Sequence, residues 1–156
     1  LHPRRWDPTL KLRGYQERAD VVERARAAFA RDAGHNVLIA TGRYDESSSL
    51  SFYLPGQPFV FCLMSRVGGR LSQYDLWPGL GARRADGTLV HAGADVLLVG
   101  SFSPEALEKV LRPAFTTLSQ PEVLPVWYHG VKIREVEVRR GIGFRGFPRN
   151  VEPERF

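Results

Sequence analysis

The sequence predicts an α/β domain: a layered sandwich with a mainly parallel sheet, helices on its faces and an antiparallel edge hairpin. Three observations carry that expectation. Two short β-rich runs, NVLIAT at 36–41 and PFVFCLM at 58–64, flank a stretch of helical character, which is the β-α-β pattern of a right-handed parallel crossover. A third run, ADVLLVG at 94–100, lacks polar alternation and suits a strand buried on both faces. The segment VLPVWYHGVKIREVEVRRG at 123–141 alternates on either side of His129-Gly130, the signature of a hairpin.

Residues 1–13, LHPRRWDPTLKLR, hold two prolines and no sustained period, and read as an extended lead-in to a single domain over 14–148. From Tyr15 the apolar residues Tyr15, Ala19, Val22, Ala25 and Phe29 recur on one helical face, and Gly34 supplies the stop. After the first strand, Thr41 or Asp45 is placed to cap a helix that must end near Leu54, because Pro55 lacks a donor and Gly56 favours a turn. Its Leu50, Tyr53 and Leu54 share one face, while the serines at 47–49 fall on a polar one. Residues 65–94 predict little beyond a turn at Asp86-Gly87. Ser103-Pro104-Glu105 gives a cap, a proline at the first helical position and an acid in the first turn, opening a helix expected to end before Pro113. In the hairpin, Val131 and Ile133 sit at odd positions but Val136 and Val138 at even ones, so a bulge is required near Arg134-Glu135. Residues 149–156 form a C-terminal tail.

Composition narrows the function classes. With 43% hydrophobic and 25% charged residues the chain is globular, and its apolar runs are far shorter than the ~20 residues of a membrane span. The net charge of +5 would permit nucleic acid, but the arginines are scattered among 17 acids, so no nucleic-acid partner is expected. A basic stretch from Lys132 to Arg149 reads as a solvated strand face. The first residue is Leu1 and the one methionine is Met64, which suggests a piece of a longer protein. Cys62 stands alone in an apolar run and reads as a small buried hydrophobe.

Motifs for catalysis are weak. GIGFRG at 141–146 matches G-x-G-x-x-G, but the prolines of FPRNVEPERF follow where a phosphate-binding helix would have to begin. His2, His35, His91 and His129 show no paired spacing and have no cysteine partners, so neither a metal nor a cofactor is expected. No G-x-S-x-G elbow occurs. What remains is a cluster at the strand ends: Arg43 and Tyr44 after the first strand, Tyr53 further along, and Gln73, Tyr74, Asp75 and Trp77 in the run LSQYDLWPGL at 71–80. Two large aromatics, an amide and a carboxylate in a loop imply either a plug over the core, with Asp75 paired to Arg43 or Arg70, or a recognition surface.

Three stretches, DPTLKLRGYQE, LIATGRYDESSSLSFYLPGQPFVFCL and SQYDLWPG, in this order and spacing, resemble the C-terminal soluble domain of bacterial membrane glycosyltransferases. These are relatives of the dolichyl-phosphate-mannose-protein mannosyltransferases and of the lipid A aminoarabinose transferase. The resemblance covers about residues 7–80 and rests on Arg43, Tyr44, Phe52, Tyr53, Leu54, Pro55, Gly56, Gln73, Tyr74, Asp75 and Trp77. It implies a non-catalytic domain on the extracytoplasmic (periplasmic) face of the bacterial inner membrane, with the transmembrane domain of the same parent chain as its partner. It further implies contact with a polyprenyl-phosphate-linked sugar or a glycan acceptor. The catalytic carboxylate of that family lies in a membrane-domain loop this chain lacks, so the resemblance implies no transferase activity for the fragment. Two alternatives are a stand-alone module for a glycan or an anionic headgroup, and a free-standing nucleotide enzyme, for which the chain offers no motif.

Overall fold

The apolar stripe that begins at Tyr15 forms helix α1, Tyr15–Ala33, in a computed structural model that describes residues 14–148. The lead-in expected over 1–13 and the tail over 149–156 lie outside the described residues. Gly34 ends α1 as expected: at φ 77° it adopts the left-handed conformation and its N–H reaches the carbonyl of Ala30 at 2.9 Å. The chain continues through β1 (Leu38–Thr41), α2 (Tyr44–Tyr53), β2 (Phe61–Cys62) and a 3-10 turn at Gln73–Leu76, then β3 (Val96–Val99). Helix α3 runs as Pro104–Ala106, a π turn at Leu107–Leu111 and a last α turn at Arg112–Ala114. Strands β4 (Phe115–Leu118), β5 (Glu122–Tyr128) and β6 (Val131–Phe144) complete the domain.

The six strands form one sheet in the order β2-β1-β3-β6-β4, with β5 also paired to β6. The β2-β1 and β1-β3 pairings are parallel, whereas β6 is antiparallel to β3, β4 and β5. The sheet is therefore mixed: the parallel part is confined to three strands. The reason is the length of β6. Its residues 138–141 pair with β3 on one side, while 131–138 and 141–144 pair with β5 and β4 on the other. The expected hairpin is present, with β5 as its outer strand and β6 in the sheet interior.

Strand alternation divides the core in two. Ile39, Leu97, Val99, Val136 and Val138 face α1 and α2, where Ala19, Val22, Phe29, Leu50 and Leu54 are buried against them. Ala40, Val96, Leu98 and Phe144 face the opposite way and pack with Leu111 and Ala114 of α3 and with Leu63 and Leu80 of the long connection. That connection is pinned at Asp86-Gly87, as expected: Gly87 sits at φ 84° and Asp86 accepts from the Thr88 N–H at 2.9 Å.

Several local expectations shift. Neither Thr41 nor Asp45 occupies the N-cap of α2; Arg43 does, without a side-chain cap. Ser47 is fully buried, not solvated, its hydroxyl 2.7 Å from that of Thr41. α3 passes through Pro113, because the π turn before it widens the coil where the pyrrolidine ring would meet a carbonyl. The hairpin turn has φ 46° at His129 and 74° at Gly130, the signs of a type I′ turn. Val126 pairs with Arg134 and Trp127 with Lys132, so the bulge falls on Ile133, one residue before the expected place. The glycines of GIGFRG lie in or just after β6: a Cβ at Gly141 would stand 2.8 Å from the Phe115 ring, so close packing accounts for that glycine.

Candidate functional site

Leaving β1, the chain passes through α2 to β2 on one side and later returns to β3 on the other. Such a switch opens a crevice at the carboxyl ends of β1 and β3, the place where ligands enter open α/β sheets. α2 begins there, and its helical period sends two sets of side chains to two different neighbourhoods: Tyr44 and Ser48 in one, Glu46, Ser49 and Tyr53 in the other.

The first neighbourhood holds five of the seven predicted site residues, Tyr44, Gln73, Tyr74, Asp75 and Trp77, whereas Arg43 pairs with Asp45, which lines the second. The Ser48 hydroxyl lies 3.1 Å from that of Tyr74, tying the 3-10 turn to α2. The Tyr74 ring stands edge-on to Trp77 with centroids 5.6 Å apart, and lies 6.1 Å from Phe59, which in turn meets Phe61 at 5.0 Å. A ledge of rings thus follows β2, the outermost parallel strand. Trp77 is 50% exposed and Leu76 84%, so the loop is not a plug over the core. Tyr44, Arg70, Leu71, Ser72 and Gln73 line a shallow groove of about 320 Å³.

Asp75 and Arg43 have different partners from those expected. The Ser72 N–H donates to the Asp75 carboxylate at 2.7 Å while the Ser72 hydroxyl accepts from the Tyr74 N–H at 3.3 Å, a capping box that shapes the turn. Ser65 also donates to Asp75. Arg43 faces Asp45 instead, through Nε at 3.0 Å and Nη2 at 3.2 Å. That fork holds the Asp45 carboxyl below its ordinary range, aided by the backbone N–H groups of Asp45 and Glu46. Beside this turn, burial raises the pKa of the half-buried Cys62 thiol, which disfavours the thiolate.

Tyr53 belongs to the second neighbourhood. Its ring stacks on Tyr15 with centroids 5.7 Å apart and planes 8° from parallel, and the Arg134 guanidinium lies 5.4 Å from the Tyr15 centroid. These side chains line a cleft of about 430 Å³ together with Arg18, Glu46, Ser101 and Glu137. Its floor is an ion pair, Arg18 Nη2 to Glu46 Oε1 at 3.2 Å, with the Arg18 side chain only 9% exposed. Burial lowers the pKa of Arg18 and raises that of Glu46, in each case outweighing the partner's attraction. Gly100, at φ 103°, lets the chain pass under this pair: a Cβ there would stand 2.7 Å from a Glu46 carboxylate oxygen.

Sequence reasoning missed Arg18, Glu46, Ser101, Arg134 and Glu137. One signal was available: Arg18 lies three residues after Tyr15 and four before Val22, in phase with the buried stripe of α1. A charge in that phase is a buried charge. A further cleft, about 600 Å³, lies away from both neighbourhoods, between α1 and β5, with Leu97 and Val138 among its lining residues. Among the described residues no helix is long and apolar enough to cross a membrane, and no three His, Cys, Asp or Glu side chains are grouped to hold a metal ion. No family model, curated protein or solved structure matches the chain.

Proposed function

We propose that this domain is the non-catalytic soluble part of a membrane glycosyltransferase that uses polyprenyl-phosphate sugars, carried on the extracytoplasmic side of the membrane. Its role is to shape or recognise the acceptor or the lipid-linked sugar beside the membrane domain of the same chain. The observation that supports this reading is the ring ledge along β2, where Trp77 is half-exposed, together with the adjoining groove lined by the half-exposed Tyr44 and by Gln73. Amphipathic rings near an amide suit a sugar face or an apolar protein surface.

The rival in which Arg43 captures an anionic headgroup has less support. Its guanidinium already faces Asp45, and the same carboxylate accepts the N–H groups at the start of α2 that an anion would use.

The test is made in membranes that hold the full-length enzyme. Trp77→Ala and Gln73→Ala should each reduce transfer from a polyprenyl-phosphate sugar with expression and insertion intact, and the isolated domain should show no turnover. Wild-type rates in both variants would remove the ledge from the reaction, and a gene with no membrane-spanning segments joined to this domain would overturn the reading as a whole.

A further inference from the structure

We infer that the cleft between α1, α2 and the carboxyl end of β3 is a carbohydrate-binding site that takes a neutral sugar ring, separate from the ring ledge. Three observations carry this inference. The first is position and size: the cleft opens at the switch in strand order, and its volume of about 430 Å³ lies within the ~300–1,000 Å³ of small-molecule sites. The second is the ion pair at its floor. Burial works against both Arg18 and Glu46, so the pair stabilises the fold poorly, and a costly polar floor under an open cleft is the arrangement expected of a binding site.

The third is charge. Each carboxylate lining the cleft has its own cation: Glu46 has Arg18, Asp45 has Arg43, Glu135 has Lys132 and Glu137 has Arg139. Arg134, over the Tyr15 ring, also lines the cleft, so five cations stand against four carboxylates, which leaves little net field to attract either a phosphate or an amine. The backbone N–H of Gly100, which a phosphate would seek, is spent on the carbonyl of Glu137 at 2.8 Å. What the cleft does present is fixed polar groups side by side, Arg18 beside Glu46 and the Ser101 hydroxyl donating to Glu137 at 3.3 Å with its oxygen left to accept, against the stacked Tyr15 and Tyr53. Vicinal hydroxyls pair with carboxylate and guanidinium groups, and the C–H face of a sugar ring packs on aromatic surface. A neutral polyhydroxylated ring matches both halves.

This inference does not depend on the transferase reading, and its test separates the two. The 15N-labelled chain is titrated with the methyl glycosides of glucose, mannose, galactose and arabinose, and separately with inorganic phosphate and glucosamine. Saturable shifts of the Gly100, Ser101 and Glu137 amides with at least one methyl glycoside are expected. Glu46→Gln or Ser101→Ala should weaken that binding by about tenfold, as for loss of a charge-assisted hydrogen bond, whereas Trp77→Ala should leave it unchanged. Two variants are used so that misfolding of one does not decide the outcome. The proposal fails if no methyl glycoside gives saturable shifts at these amides, if phosphate or glucosamine saturates the cleft instead, or if both folded variants bind as wild type.

Discussion

Two ion pairs at the start of α2 use similar parts to opposite effect. On the rim, the Arg43–Asp45 pair is exposed, with side chains 69% and 52% accessible, and its partners are two residues apart. Toward α1, the Arg18–Glu46 pair is largely enclosed and joins two helices. The rings on the two sides of α2 divide in the same way, half-exposed in the Tyr74–Trp77 ledge and stacked in Tyr15–Tyr53. The exposed pair is screened by water and orders only its own turn. The enclosed pair bears the cost of desolvation and holds two elements in a fixed relation. An ion pair thus tells little about stability until its solvent is known, and here the costlier pair marks the better-formed cleft.

Neutralising both partners in each neighbourhood tests this contrast most directly. Replacing Arg18 and Glu46 together, as Arg18→Met with Glu46→Gln, should raise stability by about 2 kcal/mol, read from the urea midpoint at constant slope. A loss of similar size would reverse the comparison and make the enclosed pair a stabilising one. Trp77→Ala should cost about 1 kcal/mol, well short of the ~3–5 kcal/mol of a fully buried aromatic such as Phe144. A cost at the full buried value would mean that the ledge is covered in solution.

The exposed pair should hardly register: Arg43→Met with Asp45→Asn is expected to change stability by less than ~0.5 kcal/mol. Acid sensitivity sharpens the same contrast. Glu46 is raised in the folded state, so its contribution is present below its ordinary value of 4.5 and is lost as pH rises through the folded pKa. Asp45 is depressed, so its contribution is present above its ordinary 3.8 and is lost as pH falls through the folded pKa. Relative to wild type, Glu46→Gln should therefore gain stability as pH rises from 4.5, and Asp45→Asn should gain as pH falls below 3.8. Slopes of the opposite sign would show that the environments have been assigned the wrong way round.

The parts of this domain that follow from neighbouring residues were readable in the chain. The stripe and glycine stop of α1, the three parallel strands and the phase shift in the hairpin all depend on spacings of a few residues. The ledge was readable for the same reason, since Gln73, Tyr74, Asp75 and Trp77 are consecutive or nearly so. The role of Asp75 was not, because a capping box and a long-range ion pair place the same carboxylate in the same loop. β4 escaped because its two threonines are exposed on a four-residue strand that has no pattern without β6 beside it. The second cleft was least readable, since Arg18, Glu46, Ser101 and Arg134 meet only when four elements have assembled. Local spacing carries elements and turns, whereas a cleft depends on tertiary encounter.

The position of β6 also sets an order of assembly. It is the last of the six strands to be synthesised, yet it lies inside the sheet and closes the second edge of β3. While a nascent chain is still short of about residue 138, β3 has no partner on that side and its backbone groups remain open to pairing with another chain. The carboxyl-end crevice likewise lacks its fourth wall until residues 134–137 arrive. The native sheet therefore closes only after β6 has been made, and until then the unpaired edge of β3 is the place where the growing chain is most exposed to pairing with another.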